Sequence, residues 1–167
     1  PGMREVREAV AEKFEKENGI RYRPSEVMVS NGGKQVLYLL FRTICDPGDE
    51  VIVPTPCYVS YEEQIKLSGA VPVFAPTKKE NHFRLTRKDI EKFITPKTKA
   101  VLINSPNNPT GAVCEEKDLR EITDLAVTHD IFIVTDEVYE HLLYDGRKHV
   151  SIAAFGEDAR RNTVTVN

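Results

Sequence analysis

Ala100-Val101-Leu102-Ile103-Asn104-Ser105-Pro106-Asn107-Asn108-Pro109-Thr110-Gly111 begins as an apolar run and ends as a polar loop of turn-forming residues. The pattern returns at Ile131-Phe132-Ile133-Val134-Thr135, which leads into Asp136-Glu137-Val138-Tyr139. Short, fully apolar runs of this kind are typical of strands buried in a parallel sheet. Ligands of open α/β sheets bind beyond the carboxyl ends of the strands, so the two polar ends predict one shared site.

Strand-like and helix-like segments alternate on both sides of this stretch. Further apolar runs predict strands at 26–30, 50–54, 70–75 and 162–166, and periodic apolar residues predict helices over 4–17, 34–44, 58–67, 88–94 and 115–129. Thr86 is a candidate N-cap, Asn18-Gly19 is a candidate helix stop, and 138–143 is a short element of ambiguous type. Crossover helices of this length join parallel strands, so the order predicts one α/β domain with a mostly parallel sheet.

The composition argues against several classes of function. At 167 residues, 40% hydrophobic and 29% charged, the chain suits one ordinary globular domain. The net charge of −3 and the lack of a basic run argue against nucleic-acid binding. No apolar stretch approaches the ~20 residues of a membrane helix. The first residues, Pro1–Glu5, show no signal-peptide pattern.

Cysteines and histidines form no metal or disulfide pattern. Cys45, Cys57 and Cys114 are odd in number and contain no CxxC pair, so we expect free thiols in a reducing cytoplasm. The histidines show no ligand spacing, and no metal site is predicted from them; they are His82, His129, His141 and His149.

A glycine pair between a predicted strand and a predicted helix is the first candidate binding element. Gly33 and Lys34 stand at the start of the helix, after Asn31-Gly32. Free N–H groups and the positive end of the helix dipole favour an anion at such a position. The spacing matches neither GxGxxG nor a P-loop. A tight strand-to-helix turn explains the pair at least as well on the sequence alone.

Four side chains beyond strand ends are candidates for direct ligand contacts. Asn108 lies in the loop after a strand, where the alternative is an ordinary turn with Asx-type bonds. Asp136 ends an uncharged strand, where a carboxylate either faces a cationic ligand atom or caps a helix. Tyr139 reaches the same site if the chain turns helical. Tyr58 is either a stacking platform or an aromatic core residue.

Five motifs follow one another along the chain: Ser30-Asn31-Gly32-Gly33-Lys34-Gln35, Asp46-Pro47-Gly48-Asp49, Pro54-Thr55-Pro56-Cys57-Tyr58, Asn104-Ser105-Pro106-Asn107-Asn108-Pro109-Thr110-Gly111 and Asp136-Glu137-Val138-Tyr139. In this order the chain resembles the large domain of the fold-type-I, pyridoxal-phosphate-dependent aminotransferases of class I/II. Within them it is most similar to the prokaryotic aspartate-aminotransferase-like branch. The resemblance covers the whole chain and implies a three-layer α/β/α fold.

The resemblance implies a contact to pyridoxal 5'-phosphate for each candidate. The backbone amides of Gly33 and Lys34 would hold the phosphate, and Tyr58 would stack on the pyridine ring. Asn108 and Tyr139 would hydrogen-bond the phenolic oxygen of the ring.

Asp136 has the electronic role that the resemblance implies. Its carboxylate would pair with the pyridine nitrogen and keep that nitrogen protonated, which lets the ring withdraw electrons from the substrate. A neighbouring cation is expected to lower the pKa of this carboxyl group.

The resemblance also implies parts outside residues 1–167. No catalytic residue is expected in this chain, because the family's Schiff-base lysine lies just after Asn167. The N-terminal arm and the C-terminal small domain are expected to be missing too. Residues 1–167 are therefore interpreted as a single cofactor-binding domain, a fragment of the large domain. One strand of the family's sheet would be missing beside residues 27–30, which predicts an exposed sheet edge.

The predicted function of the full-length protein is the transfer of an amino group between an amino acid and a 2-oxo acid. The full-length protein is expected to be a cytoplasmic homodimer with no nucleic-acid or membrane partner, and the fragment alone is expected to be inactive. Two alternatives stay open, a pyridoxal-phosphate-dependent C–S lyase of the same family and a non-catalytic α/β binding module. The identity of the amino acid is not predicted, because the discriminating arginines of the family lie outside the chain.

Overall fold

The computed structural model describes every residue from Pro1 to Asn167. The helices are α1 Arg4–Lys13, α2 Gly33–Ile44, α3 Ser60–Leu67, α4 Arg87–Glu91, α5 Glu116–Thr128 and α6 Glu157–Asn162. The strands are β1 Glu50–Thr55, β2 Val71–Pro76, β3 Thr98–Asn104, β4 Phe132–Asp136 and β5 Thr163–Val166. Short 3-10 turns lie at Pro24–Glu26, Lys79–Asn81 and Ile152–Phe155, and α1 continues into a π turn at Phe14–Asn18. No helix combines the length and the apolar character needed to cross a membrane.

All five strands form one parallel sheet in the order β2-β1-β3-β4-β5. β3 is the central strand, and its last five residues are all buried. Asn104 at the end of β3 pairs directly with Asp136 at the end of β4. The two polar strand ends, Asn104 and Asp136, therefore lie side by side at the carboxyl end of the sheet.

Helices cover both faces of the sheet. Leu102 of β3 packs with Phe41 in the core formed by α2 and α3, whereas Ile103 packs with Ile122 in the core formed by α4 and α5. Successive residues pack on opposite faces of the sheet, because side chains point alternately to the two faces along a strand. All four side chains are almost fully buried, and each such burial stabilises the fold by about 1.5–3 kcal/mol. The predicted three-layer α/β/α fold is confirmed, and the sheet is parallel throughout.

Local sequence signals set several of the element ends. Gly19 adopts a left-handed conformation with φ of 70° and ends the first helical segment, as the Asn-Gly pair predicts. At α4, Asp89 accepts hydrogen bonds from both the N–H and the hydroxyl of Thr86, at 3.0 and 2.7 Å. Before α2, Gly32 has φ of 80°, a conformation that L side chains rarely adopt. Glycine at this position thus lets the chain turn sharply into the helix.

The predicted strand at 26–30 is wrong. Residues 27–30 have no ladder partner, and Val29 donates its N–H to the Pro1 carbonyl at 2.9 Å instead. Met28 and Val29 are 52% and 40% exposed. An apolar run forms a strand only when a neighbouring strand supplies its hydrogen bonds, and β5, at the edge of the sheet, pairs with β4 alone. This side of the sheet is therefore open.

Two short segments differ from simple expectations. The ambiguous element at 138–143 forms turns, in which Glu140 and Leu142 donate their N–H groups to the carbonyls of Glu137 and Tyr139, each at 2.8 Å. Helix α6 carries no sequence signal that predicts it, because six residues are too few to show helical periodicity.

Candidate functional site

The ends of β1 and β3 border a crevice where the order of the strands changes direction. β1 leads into α3 on one face of the sheet, and β3 leads into α5 on the other. Ligands of open α/β sheets bind at such switch points. Cys57 after β1, Tyr61 of α3 and Asn104 at the end of β3 are among the residues that line a small pocket at this place.

Asp136 supplies a buried carboxylate at the end of β4. The residue is 7% exposed, and its Oδ2 accepts a 2.7 Å hydrogen bond from the Tyr61 hydroxyl. Its Oδ1 accepts only a longer contact, 3.3 Å, from the N–H of Val138. Burial raises the pKa of Asp136, and the two hydrogen bonds oppose that rise. No cationic side chain of the chain stands beside the carboxylate, so the expected lowering of its pKa by a ligand cation stays a prediction.

Asn104 connects the ends of the two strands. Its side-chain amide donates to the carbonyl of Asp136 at 2.9 Å, and its Oδ1 accepts the N–H of Asn108 at 2.7 Å. The side-chain amide of Asn108 in turn lies 3.5 Å from the hydroxyl of Tyr139. Asn108 and Tyr139 are therefore neighbours, although Tyr139 stands in a turn and not on a helix.

Two tyrosines and a lysine form another part of the site. The rings of Tyr58 and Tyr61 meet edge to face, with centroids 5.5 Å apart and planes at 84°. The Lys34 ammonium lies 5.5 Å from the Tyr58 centroid. Hydrogen bonding to Lys34 lowers the pKa of Tyr58, and hydrogen bonding to Ser60 lowers it further. Tyr61 is buried and Tyr58 only partly so, which leaves the Tyr58 ring accessible to a ligand.

The start of α2 forms the third part. The N–H groups of Gln35 and Val36 donate to the Gly32 carbonyl, at 3.1 and 3.2 Å. The amides of Gly33 and Lys34 come earlier, and the first N–H groups of a helix have no intrahelical acceptor. These donors and the helix dipole suit an anion.

Two side chains hold this helix end in place. Gln35 Oε1 accepts the Ser30 hydroxyl at 2.6 Å and the Asn31 N–H at 2.9 Å, which fixes the loop before the helix. Gln64 of α3 donates to the carbonyl of Lys34 at 2.7 Å. The amide donors of α2 are thus tied both to their own loop and to the neighbouring helix.

The six predicted site residues lie together in one region, because side-chain contacts and short backbone segments connect them. They are Gly33, Lys34, Tyr58, Asn108, Asp136 and Tyr139. Tyr61 and Asn104, which the sequence analysis does not single out as site residues, complete the connections. Tyr61 follows Tyr58 by three residues, a spacing that can bring side chains together when the chain turns helically. Asn104 ends β3 as Asp136 ends β4, and this equivalence is the signal that points to it.

Glu137 lies behind the site and holds the turn after β4. Its Oε2 accepts the Ser151 hydroxyl at 2.6 Å and lies 2.7 Å from His149 Nε2, and its Oε1 accepts the Thr135 hydroxyl at 3.2 Å. Its backbone N–H donates to the Val166 carbonyl at 2.8 Å. These bonds fix the backbone of the turn that carries two of the predicted site residues.

An open cleft of about 770 Å³ adjoins the polar cluster. Asn108 and Tyr139 line one part of it, and the loops around Arg84 and Arg147 line another. Arg84 is bound to Asp118 through two hydrogen bonds of 2.6 and 3.0 Å. The volume is in the range of small-molecule sites, so the cluster borders a space that a small organic ligand can occupy.

The fold and the strand-end cluster define an α/β protein with a candidate ligand site at a topological switch point. The sequence profile of the family described as aminotransferase class I and II matches residues 1–167, the whole chain. The chain therefore belongs to the class I and II aminotransferases.

Curated relatives are similar along the whole chain. A probable aspartate/prephenate aminotransferase of Aquifex aeolicus is 51% identical over 166 residues, and an aspartate aminotransferase of Bacillus subtilis is 46% identical over 166 residues. Each alignment takes in 99% of this chain and 42% of the relative. The chain thus spans well under half the length of the curated relatives that it matches.

Solved structures agree with the fold. Aspartate aminotransferase from Thermus thermophilus with maleate gives a TM-score of 0.94 at 48% identity, over 98% of this chain and 42% of that chain. An aromatic aminotransferase from Pyrococcus horikoshii gives 0.95 at 45% identity, over 98% and 44%. The predicted membership in the aminotransferase fold is confirmed.

Proposed function

We propose that residues 1–167 form the cofactor-binding domain of an enzyme that transfers an amino group between an amino acid and a 2-oxo acid, with pyridoxal 5'-phosphate as cofactor. One observation carries the proposal: Asp136 presents a buried carboxylate with no cationic partner, in a cluster that also holds an accessible aromatic ring, an amide and a phenol. The family of the chain, and relatives that are named aspartate aminotransferases, support it.

The groups of the site fit the chemistry of this cofactor. A protonated pyridine nitrogen requires an acceptor, and Asp136 Oδ1 has only one long contact, of 3.3 Å, within the chain. A phenolic oxygen requires donors, which the amide of Asn108 and the hydroxyl of Tyr139 supply. A phosphate requires N–H groups, which the first amides of α2 supply. A cation beside Asp136 would also offset the cost of burying its charge.

Each residue has a definite task in this proposal. Asp136 stays ionised and holds a proton on the ring nitrogen, while Asn108 and Tyr139 donate to the phenolic oxygen. Tyr58 would lie against the ring and restrict its tilt. When bound, the cofactor supplies an electron-withdrawing ring that acidifies the α-carbon of the amino acid. The first amides of α2 would anchor the phosphate, so the cofactor would be held at its ring nitrogen, its phenolic oxygen, its ring face and its phosphate.

We place the catalytic lysine outside residues 1–167. The chain covers 42% of the relatives, and Lys34, the lysine of the site, belongs to the anion-binding helix start. The 167-residue chain alone is therefore proposed to bind and orient the cofactor without transferring amino groups. For the complete enzyme we propose a homodimer in the cytoplasm, a location in keeping with three free cysteines.

Absorbance titration of the protein with pyridoxal 5'-phosphate tests the proposal. Asp136→Ala is expected to weaken binding about 30-fold or more, because the ring nitrogen loses its only charged partner. Asp124→Ala, on the exposed face of α5, is the matched control and should leave binding unchanged. Equal affinities in the two variants would contradict the assigned role of Asp136.

An activity assay separates the related functions. The protein at the full length of its relatives is expected to need both an amino acid and a 2-oxo acid, and its 167-residue part to show no transfer. Release of a thiol from a thioether amino acid, without a 2-oxo acid, would identify the C–S lyase instead. No turnover together with no cofactor binding would favour the non-catalytic module.

A further inference from the structure

The hydrogen bond between Tyr61 and Asp136 is the most buried polar contact of the site. Tyr61 is 2% exposed and Asp136 is 7% exposed, and 2.7 Å separates the hydroxyl from Oδ2. A hydroxyl that donates to a carboxylate over this distance forms a charge-assisted bond, roughly twice as strong as a neutral one. Solvent exclusion preserves that strength.

The bond makes the two carboxylate oxygens of Asp136 unequal. Oδ2 is engaged by the Tyr61 hydroxyl, whereas Oδ1 receives only the 3.3 Å contact from the Val138 N–H. A carboxylate oxygen accepts two hydrogen bonds, so Oδ1 keeps the greater capacity for a further donor. The hydroxyl also restricts rotation of the carboxylate, because turning it would break the shorter bond.

Tyr61 is suited to donate at any working pH. Burial raises the pKa of its hydroxyl, and the neighbouring Asp136 charge raises it further. The groups that face the pair are Glu137, near Asp136, and Cys57 and Tyr139, near Tyr61. None of them is a cation, so the Tyr61 bond is the main influence that favours the charged form of Asp136.

The ring of Tyr61 has a second contact with the site. It meets Tyr58 edge to face at 5.5 Å, and such pairs contribute about 0.5–1.5 kcal/mol beyond their buried area. One buried side chain therefore contacts both the carboxylate and the accessible ring.

We propose that Tyr61 is a positioning residue, which locks Asp136 Oδ2 so that Oδ1 faces the ligand cation and which seats the Tyr58 ring at the same time. The inference rests on the proposed function only in naming that cation as the protonated ring nitrogen. The link between Tyr61 and Asp136 is a property of the chain itself.

The pKa of Asp136, followed by carbon-13 NMR of its carboxyl group in the purified protein, tests the link without any cofactor. Tyr61→Phe is expected to raise this pKa by about one pH unit, because the charged form loses a hydrogen bond. Tyr22→Phe is the matched control, since the half-buried Tyr22 hydroxyl contacts only Thr165, at 3.2 Å. Tyr22→Phe should leave the pKa of Asp136 unchanged.

Replacement of Tyr61 by 3-fluorotyrosine separates positioning from packing. The ring and the hydroxyl remain, and the hydroxyl becomes a stronger donor, so the pKa of Asp136 should fall. A purely structural role predicts no movement. An unchanged pKa in both Tyr61 variants would overturn the inference.

Cofactor binding distinguishes the two proposals. Tyr61→Phe is expected to weaken pyridoxal 5'-phosphate binding about tenfold, and Asp136→Asn more strongly. Undiminished binding in Asp136→Asn would overturn the proposed function and leave the effect of Tyr61 on the Asp136 pKa intact. Unchanged binding in Tyr61→Phe, with binding lost in Asp136→Asn, would overturn the positioning role alone.

Discussion

The centre of the sheet and its open edge beyond β5 differ in whether an apolar extended segment has a partner strand. At the centre, β3 and β4 are buried, and Asn104 and Asp136 continue the strand register into a hydrogen-bonded cluster. Beyond β5, residues 27–30 have a similar apolar character but pair with no strand and leave Met28 and Val29 exposed. The difference shows that neighbouring strands, rather than hydrophobicity, decide whether such a segment forms a strand.

The largest effect is expected from shortening a buried side chain at the centre. Leu102→Ala should lower the free energy of unfolding by about 2–5 kcal/mol, because Leu102 is 1% exposed and its loss leaves a cavity. Met28→Ala on the open side is the comparison, and it should change the free energy of unfolding by no more than about 0.5 kcal/mol. Urea unfolding measures the free energy of unfolding of both variants, and similar losses of stability in the two would contradict the prediction.

A smaller effect is expected from breaking the bridge between the strand ends. Asn104→Ala leaves the Asp136 carbonyl and the Asn108 N–H without their partner, which should cost about 1–3 kcal/mol in the free energy of unfolding. Exposed Asn81→Ala is the control and should unfold like the wild type. If Asn104→Ala retains full stability, other groups must satisfy these two backbone atoms.

Asp136 should make the stability of the centre depend on pH. Burial raises its pKa in the folded state, so the folded chain binds this proton more tightly than the unfolded chain. Its contribution to stability is present at acidic pH and is lost as the pH rises through the folded-state pKa. Asp136→Asn, which cannot ionise, should therefore gain stability relative to the wild type between acidic and neutral pH.

Urea unfolding across that pH range measures the difference between Asp136→Asn and the wild type. Asp145→Asn, on an exposed loop, is the control for loss of a negative charge, and its curve should run parallel to that of the wild type. A constant difference between Asp136→Asn and the wild type at every pH would contradict the raised pKa.

The smallest effect on stability is expected on the open side. Val29→Lys should change the free energy of unfolding by less than about 0.5 kcal/mol, because Val29 is 40% exposed. It should nevertheless reduce self-association, since a charge on an unpaired extended segment discourages pairing with another chain. Light scattering of concentrated protein checks this, and equal scattering by variant and wild type would show that the segment does not mediate association.

The contrast between the paired strands and residues 27–30 also shows which strands can be predicted from the sequence. The five strands of the sheet follow from apolar runs, because each of those runs has a partner strand in the chain. The run at 26–30 reads equally well as a strand, but no property of its own residues reveals that a partner is absent. Strand formation depends on long-range pairing, which local patterns do not contain.

The residues of the candidate site also differ in how well the sequence predicts them. Asn108, Asp136 and Tyr139 stand next to strand ends, so position along the chain is enough to group them. Tyr61 and Asn104 act through contacts 75 and 32 residues away in sequence, with Asp136 in each case. Their types and positions carry a weak signal. Only the packing of α3 against the sheet shows what Tyr61 touches, and only the pairing of β3 with β4 shows what Asn104 touches.

Helix α3 holds both ends of the candidate site. Its residue Tyr61 binds Asp136, and its residue Gln64 binds the carbonyl of Lys34 at the start of α2. One rigid helix of eight residues thus sets the separation between the carboxylate and the anion-binding amides. Under the proposed function, the site would therefore discriminate ligands by length: a molecule whose cationic ring atom and anionic group are spaced differently by one bond would satisfy one end and lose the other.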